Sequence, residues 1–288
     1  LVLNAGDYGL AVQERAELIM LSDIAGYVGA DTCGCLLAIR PDQQEEISLM
    51  IDIGTNGEMV LGNRERMVTC STAAGPAFEG AKIECGMRGA AGAVDHVKYE
   101  DGKWNYTTVG NKPAVGLCGS GLIDLVAGLL DAGMLDENGV LRSGQEKQGV
   151  FILVPPERGG NERGVYLTQK DLGEVQLAKA AIAAGIQMLM ERLGITEDDI
   201  CSVYIAGAFG NYMDPVSAGK IGLLPAMLVK KVKPVGNAAG EGAKIALVNE
   251  KEMLEMDELV RKIEFVELAA SADFQDHFID ELGFETGE

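Results

Sequence analysis

Asp52 closes the apolar run Ile47-Ser48-Leu49-Met50-Ile51, and Ile53-Gly54-Thr55-Asn56-Gly57-Glu58 follows it. Glycines at 54 and 57 let a backbone approach an anion, and consecutive N–H groups there form a cradle for phosphate. Thr55 and Asn56 can add side-chain hydrogen bonds. A strand-end carboxylate such as Asp52 is placed to hold a water on Mg2+. A tight turn in a β-meander also needs Gly and Asn, so the glycines alone decide nothing. An Asp ending a buried strand and a Thr between glycines are what a plain turn does not require.

Two further glycine-rich turns follow short apolar strands. Tyr204-Ile205-Ala206-Gly207-Ala208-Phe209-Gly210 leaves a surface poor in side chains, on which a base and ribose can lie. Gly236-Asn237-Ala238-Ala239-Gly240-Glu241-Gly242 opens a helix with small residues, as a hinge helix packed on a neighbour needs. Each alone is compatible with plain close packing; the ordered set is the specific signal. No G-x-x-x-x-G-K-[ST] occurs, which excludes a P-loop. Gly119-Ser120-Gly121 is only part of a dinucleotide fingerprint and opens no βαβ unit.

The elements that must position these turns read as follows. Residues 14 to 40 are expected to be mostly helical. Strands over 47–53, 58–62 and 66–71 form a meander, and Phe78 to Ile83 starts a helix. Strands near 94–109 and a helix from Ser120 to Gly133 come next. Thr168-Gln169-Lys170-Asp171 is a capping box for a long helix to Gly194, whose apolar positions Val175, Ala178, Ile182, Ile186, Leu189 and Leu193 keep a helical period. A strand over 202–205, an N-cap at Asp214-Pro215, a strand over 232–235 and a final helix complete the pattern. Three meander strands followed by helix, strand, helix, strand, helix predict an α/β fold: a ribonuclease H-like mixed sheet with covering helices.

Of the 288 residues, 47% are apolar and 38 are Gly, which suits such a fold. With Lys plus Arg at 24 and Asp plus Glu at 44, the net charge is −20. A surface this acidic repels nucleic acid and anionic membranes, so neither is expected as a partner. The long apolar stretch from Ala114 to Leu135 contains Asp124 and Asp131 and reads as a buried helix rather than a membrane span. The 6 cysteines form no CxxC. Cys33-Gly34-Cys35 could ligate a metal, but the default reading is buried free thiols in a reducing, cytoplasmic setting. The chain begins at Leu1 without a start signal, as a piece of a longer protein would.

IDIGTNGEMVLGN, CSTAAGPAFEGAKI, GLCGSGLIDLVAGLL, EVQLAKAAIAAGI, IAGAFGNYMD and VGNAAGEGA together resemble the C-terminal ATPase region of reductive activators of corrinoid proteins. These belong to the actin-like superfamily of acetate and sugar kinases, heat-shock chaperones and actin. The resemblance implies an ATP- and Mg-dependent activator that returns Co(II) corrinoid proteins to Co(I) for methyl transfer. It further implies a corrinoid protein partner, a homodimer, and an iron–sulfur cluster on a domain outside this chain. The apolar stretch Gly116 to Leu135 is expected to contribute to the dimer.

Carried over by motif, Asp52 to Glu58 resembles the second phosphate loop of the superfamily, with Asp52 as the catalytic and metal-water residue. Gly54, Thr55, Asn56, Gly57 and Glu58 then line the phosphates, and Gly75 and Glu79 lie in a loop that touches nucleotide. Gly207, Ala208, Phe209 and Gly210 resemble the adenosine motif, and Asn237 opens the second connecting helix. Gln176 and Lys179 match the polar contacts of an adenine-facing helix, or else a solvated helix face. Residues 1–45 would end the first half of the ATPase, with 46–288 the second half and an insertion over about 86–166. No first phosphate loop is present, so this stretch alone is expected to be inactive. Rival readings are a kinase for a small acid or sugar, which would need a general-base carboxylate, and a non-catalytic nucleotide sensor.

Overall fold

The computed structural model describes residues 2–13, 15–142, 149–269 and 271–284, with Ala208 by its backbone only. In chain order the first elements are β1 (Val2–Asn4), β2 (Glu17–Ile19), α1 (Ala30–Ile39), β3 (Ile47–Ile53), β4 (Gly57–Gly62) and β5 (Met67–Thr72). Next come β6 (Ala93–Glu100), β7 (Lys103–Thr108), β8 (Gly116–Leu117), α2 (Gly119–Asp131), β9 (Val150–Val154) and β10 (Val165–Thr168). The chain continues through α3 (Gln169–Leu193), β11 (Ile200–Ala206), α4 (Gly207–Gly210), α5 (Pro215–Lys220) and β12 (Val232–Gly236). It ends with α6 (Ala238–Val248), α7 (Glu250–Val260), β13 (Ile263–Phe265) and α8 (Ala272–Asp280).

The central sheet has 6 strands in the order β12-β11-β3-β4-β5-β13. The β3–β4–β5 meander is antiparallel, while β11 runs parallel to β3 and β12 parallel to β11. Parallel neighbours need long crossovers, and α3 lies in the crossover from β5 to β11. Alternation along β3 sends Leu49, Ile51 and Ile53 into the larger core with α3, and Met50 into a second core with Cys33, Cys35, Leu36 and Leu37 of α1. Burial on both faces is why β3 reads as a nearly continuous apolar run. Asp52 shares the parity of Met50 and therefore belongs to the α1 side.

Helix α3 begins at the predicted capping box: Asp171 N–H donates to Thr168 Oγ1 at 3.2 Å and Thr168 N–H to Asp171 Oδ2 at 2.9 Å. It ends at Gly194 in the left-handed region (φ 70°). The predicted N-cap at Asp214 also forms, its Oδ2 accepting from Ser217 N–H at 2.9 Å. Within the insertion, β6 and β7 form a hairpin turned by Asp101 (φ 51°) and Gly102 (φ 74°), and α2 packs on β6. Trp104 joins this layer to β9, its ring 4.9 Å from that of Phe151.

Several expectations need correction. The helix expected over 14–40 forms only as α1; upstream of it, β2 pairs with β1 and turns around Gly26 and Gly29 lead into the helix. The helix expected from Phe78 to Ile83 is a series of turns. Gly80 (φ 79°) sits so close to Gly86 and Met87 that a Cβ there would lie 2.5 Å from Met87 N, a backbone contact that no helix over this stretch could make. The apolar stretch expected to serve a dimer is internal: every residue of α2 from Gly119 to Leu129 is buried. That stretch therefore gives no support to a dimer. Strand β13 and helices α7 and α8 were not anticipated.

Candidate functional site

Asp52 lies at the carboxyl end of β3, in register with Ala206 at the end of β11. The next residue, Gly207 (φ 84°), turns the chain so closely that a Cβ would sit 3.0 Å from Asp52 Oδ1. Only glycine combines that left-handed backbone with an open approach to the carboxylate. On its other side, Cys35 Sγ is 3.9 Å from Asp52 Oδ2. Burial raises the Asp52 pKa above the ordinary carboxylate value, and the charge of Asp31, in the first turn of α1, adds to this against a weak Cys35 hydrogen bond. Glu58 is raised as well, mainly by burial, although Ser71 Oγ donates to its Oε1 at 3.2 Å.

The thiols of Cys33 and Cys35 are pushed up to about 12 by burial and by neighbouring aspartates. Cys33 and Cys35 are two residues apart on a helix and so do not share a face, which disfavours their joint use as a metal pair. Asp52 and Glu58 are thus half-buried negative charge, with Asp31 on the exposed first turn of α1 near them and no cationic side chain among the causes of the two shifts. Among the described residues no three His, Cys, Asp or Glu side chains come together as a metal site, so a divalent cation here would need Asp52 together with oxygens of a ligand or water.

The hairpin tip is clamped from one side. Gly54 N–H donates to Asn56 O at 2.9 Å, and Gly75 N–H donates to Thr55 O at 2.8 Å. Thr55 Oγ1 donates to Glu79 Oε1 at 2.6 Å, so Gly75 and Glu79 hold the exposed tip in place. The structure therefore brings together Asp52, Gly54, Thr55, Asn56, Glu58, Gly75, Glu79 and Gly207. It also adds Lys82, which the sequence reading missed. Its Nζ is 3.6 Å from where a Cβ of Gly75 would be and pairs with Glu174 at 2.9 Å. A single lysine inside AKIEC carries no spacing that would have marked it.

Other expected residues have structural duties. A Cβ on Gly57 would lie 2.9 Å from Thr72 Oγ1 and 3.2 Å from Ile182 Cγ1, so this glycine lets α3 settle on the sheet. Gly210 is hemmed in by Ile205, whose carbonyl oxygen would be 2.8 Å from a Cβ. Phe209 stacks on Phe78 with ring centroids 5.7 Å apart and leans on Gly119 at the start of α2. That packing fixes the insertion against the Gly207 turn and explains the Gly119-Ser120-Gly121 run. Cys118 is buried beside it and donates to Val94 O at 3.3 Å. The side chain of Ala208 lies outside what the structure describes.

Asn237 caps α6, accepting from Gly240 N–H at 2.9 Å. Helix α6 then crosses α1 at glycines: a Cβ on Gly34 would be 2.7 Å from Ala239 O, and one on Gly242 would collide with the Gly34 carbonyl. Gln176 and Lys179 lie against other turns: a Cβ on Gly139 would be 2.5 Å from Gln176 Oε1, and one on Gly222 2.9 Å from Lys179 Nζ. Gln176 Nε2 donates to Leu282 O at 2.9 Å, and the buried Lys179 ammonium donates to Gly283 O and lies 5.6 Å from the Phe284 ring centre. Both hold the C-terminal turn at residues 282–284.

A model of the C-terminal domain of RACo, described as the ASKHA domain, matches residues 46–288. This chain belongs to that family. Corrinoid activation enzyme RamQ of Eubacterium limosum is 36% identical over 292 residues, covering 96% of this chain and 49% of RamQ. The [Co(II) methylated amine-specific corrinoid protein] reductase of Methanosarcina barkeri is 29% identical over 303 residues, covering 97% of this chain and 54% of the reductase. A solved structure of a reductive activator for corrinoid, iron-sulfur protein superposes with a TM-score of 0.90 at 38% identity, over 98% of this chain and 47% of that one. The chain thus spans about half the length of the relatives it matches. Among the described residues, no helix is long and apolar enough to cross a membrane.

Proposed function

We propose that this chain is the nucleotide-binding part of an ATP-dependent reductive activator that returns Co(II) corrinoid proteins to Co(I), so that methyl transfer can resume. The observation that carries the reading is the Asp52 carboxylate lying against Gly207 at the carboxyl ends of two parallel strands, within a chain whose relatives are named for corrinoid activation or reduction. Asp52 would hold Mg2+ through water. The tip at Gly54, Thr55 and Asn56 would meet the phosphates, with Lys82 beside it. The turn from Gly207 to Gly210 would meet the nucleoside, and Asn237 would steady the helix below. When bound, Mg-ATP supplies the free energy of phosphoanhydride hydrolysis.

The residues of this chain would turn that energy into a change of domain arrangement. Helices α1 and α6 cross at Gly34 and Gly242 with almost no side chain between them, a geometry suited to a hinge. Residues 1–45 would belong to the preceding half of the ATPase, and closure of the two halves would shift the population that grips the corrinoid protein. The electron would come from an iron–sulfur cluster outside this chain, in a cytoplasmic homodimer.

The protein expressed from its complete gene, given reductant and a Co(II) corrinoid protein, is expected to form Co(I) by visible spectroscopy only when Mg-ATP is present. ATP-independent reduction, or none at all alongside phosphorylation of a small acid or sugar, would sink this reading. Phosphate release with no cobalt reduction would favour a nucleotide sensor.

A further inference from the structure

The turns that build the site carry a single cation. Residues 52–58, 73–82, 207–210 and 236–242 hold the carboxylates of Asp52, Glu58, Glu79 and Glu241, and the one Lys or Arg among them is Lys82. Its side chain is half exposed, and its ammonium pairs with Glu174 of α3 at 2.9 Å. The same Nζ would lie 3.6 Å from a Cβ on Gly75, which otherwise meets nothing within 4 Å among the described residues. Gly75 N–H donates to Thr55 O at 2.8 Å, and Glu79, three residues before Lys82, accepts from Thr55 Oγ1. One residue without a side chain therefore links Lys82 to the hairpin tip.

That tip is poor in free donors. Gly54 N–H is used on Asn56 O at 2.9 Å and the Thr55 hydroxyl on Glu79. Glu79 Oε1 would also be 3.9 Å from a Cβ on Gly54, so a carboxylate faces the open side of the tip. A terminal phosphate arriving here would meet like charge from Asp52, Glu58 and Glu79, which a nearby ammonium offsets. Magnitudes decide which partner Lys82 keeps. A single Lys–Glu pair that is half exposed is screened by water and contributes little. A charge-assisted hydrogen bond to phosphate contributes more, because that group carries more charge than a carboxylate. The exchange runs towards phosphate.

We propose that Lys82 reads the terminal phosphate: Glu174 holds it when no triphosphate is bound, and with Mg-ATP it leaves Glu174 for the γ-phosphate. Glu174 is then the positioning group whose competition sets how much more tightly ATP is held than ADP. The inference rests on the ATP reading above.

Calorimetric titration of the protein from its complete gene with Mg-ATP and Mg-ADP tests this in the wild type, Lys82→Met, Glu174→Gln and the double variant. Lys82→Met keeps an aliphatic stem and removes the charge. It should weaken ATP about ten- to a hundredfold, the range for one hydrogen bond to a charged partner, and leave ADP nearly unchanged. Glu174→Gln removes the competitor and should tighten ATP about two- to fivefold, a gain that vanishes in the double variant. Equal losses for ATP and ADP in Lys82→Met would overturn the proposal and put the ammonium on a group common to both nucleotides. A Glu174→Gln gain that persists without Lys82 would overturn the exchange. Should Lys82→Met fail to fold, an ATP to ADP ratio unmoved by Glu174→Gln would overturn it as well. Wild-type binding with unchanged Lys82→Met affinities removes this proposal alone; a wild type that binds neither nucleotide removes the ATP reading with it.

Discussion

The crossing of α1 and α6 can be tested by adding one methyl group. In an exposed helix interior, Gly→Ala gains about 1 kcal/mol of helix propensity. Gly173 in α3 is half-buried but has nothing within 4 Å of an added Cβ, so Gly173→Ala should stabilise by about that amount. At Gly242 the same methyl meets the Gly34 carbonyl oxygen, and no side chain can rotate away. The two helices would have to separate, loosening a core that contains Cys33, Leu37, Ala238 and Met50. Overpacking costs about 1–3 kcal/mol, and a backbone collision belongs at the upper end of that range. Three less one leaves Gly242→Ala destabilised by about 2 kcal/mol, a fall in Tm of about 4–8 °C for a domain near this size. Thermal unfolding followed by circular dichroism, with Gly173→Ala as the control, measures the difference. If Gly242→Ala rises in Tm alongside Gly173→Ala, the helices do not cross at this distance and the hinge argument loses its basis.

Three other outcomes are expected. A carboxyl whose folded pKa lies above its unfolded one holds its proton more tightly in the fold, so its contribution is present at low pH and lost as pH rises through the folded value. Asp52 is raised in this way from an ordinary 3.8, so Asp52→Asn should be more stable than wild type at pH 7, with the gap closing towards pH 4 in urea melts; a less stable variant at pH 7 would refute the uncompensated charge. Gly207→Val, which puts a β-branched side chain at φ 84° and against Asp52, should weaken ATP and ADP alike by at least about tenfold, and unchanged affinities would remove the nucleoside assignment of this turn. If Asp52 to Glu58 is the second of two phosphate hairpins, as the proposal has it, the 288-residue chain alone should bind Mg-ATP weakly. Two absent charge-assisted hydrogen bonds at ~1.5–3 kcal/mol each would lower affinity by roughly two to four powers of ten, and low-micromolar binding by calorimetry would mean the cradle is already complete.

The strands that carry the site were legible because their signals are local. Short apolar runs, an Asp at a strand end and glycine at the turns mark β3 to β5, β11 and β12, and the box at Thr168 marks the start of α3. The alternation of side chains along any strand then fixes the side of the sheet to which Asp52 turns. What escaped the sequence depends on contacts between distant segments. Phe78 to Ile83 has helical composition, yet the approach of Gly80 to Gly86 bends it into turns. Lys179 looks like a helix-face cation until Gly283 and Phe284 fold over it. Asp31 and Cys35 reach Asp52 only because α1 lies across β3, and His96 meets Asp124 only because α2 packs on β6.

Glycine is where the two kinds of information meet. Gly54 and Gly57 sit in one motif and read alike, and a phosphate cradle would use both. In the structure a Cβ on Gly54 has 3.7 Å or more to its nearest neighbours, Asn56 O and Glu79 Oε1, whereas one on Gly57 would press into Thr72 and Ile182. The first position is open on the side a ligand would approach, and the second is closed by the fold itself. Gly119 and Gly242 repeat the second case, the one under Phe209 and the other under Gly34. A glycine-rich chain of this class thus uses the missing side chain for two purposes: to bring helices and sheet into backbone contact, and to leave the strand ends bare. The first purpose makes the second possible, because the strand ends form one surface only when α1, α6 and the insertion are drawn in around them.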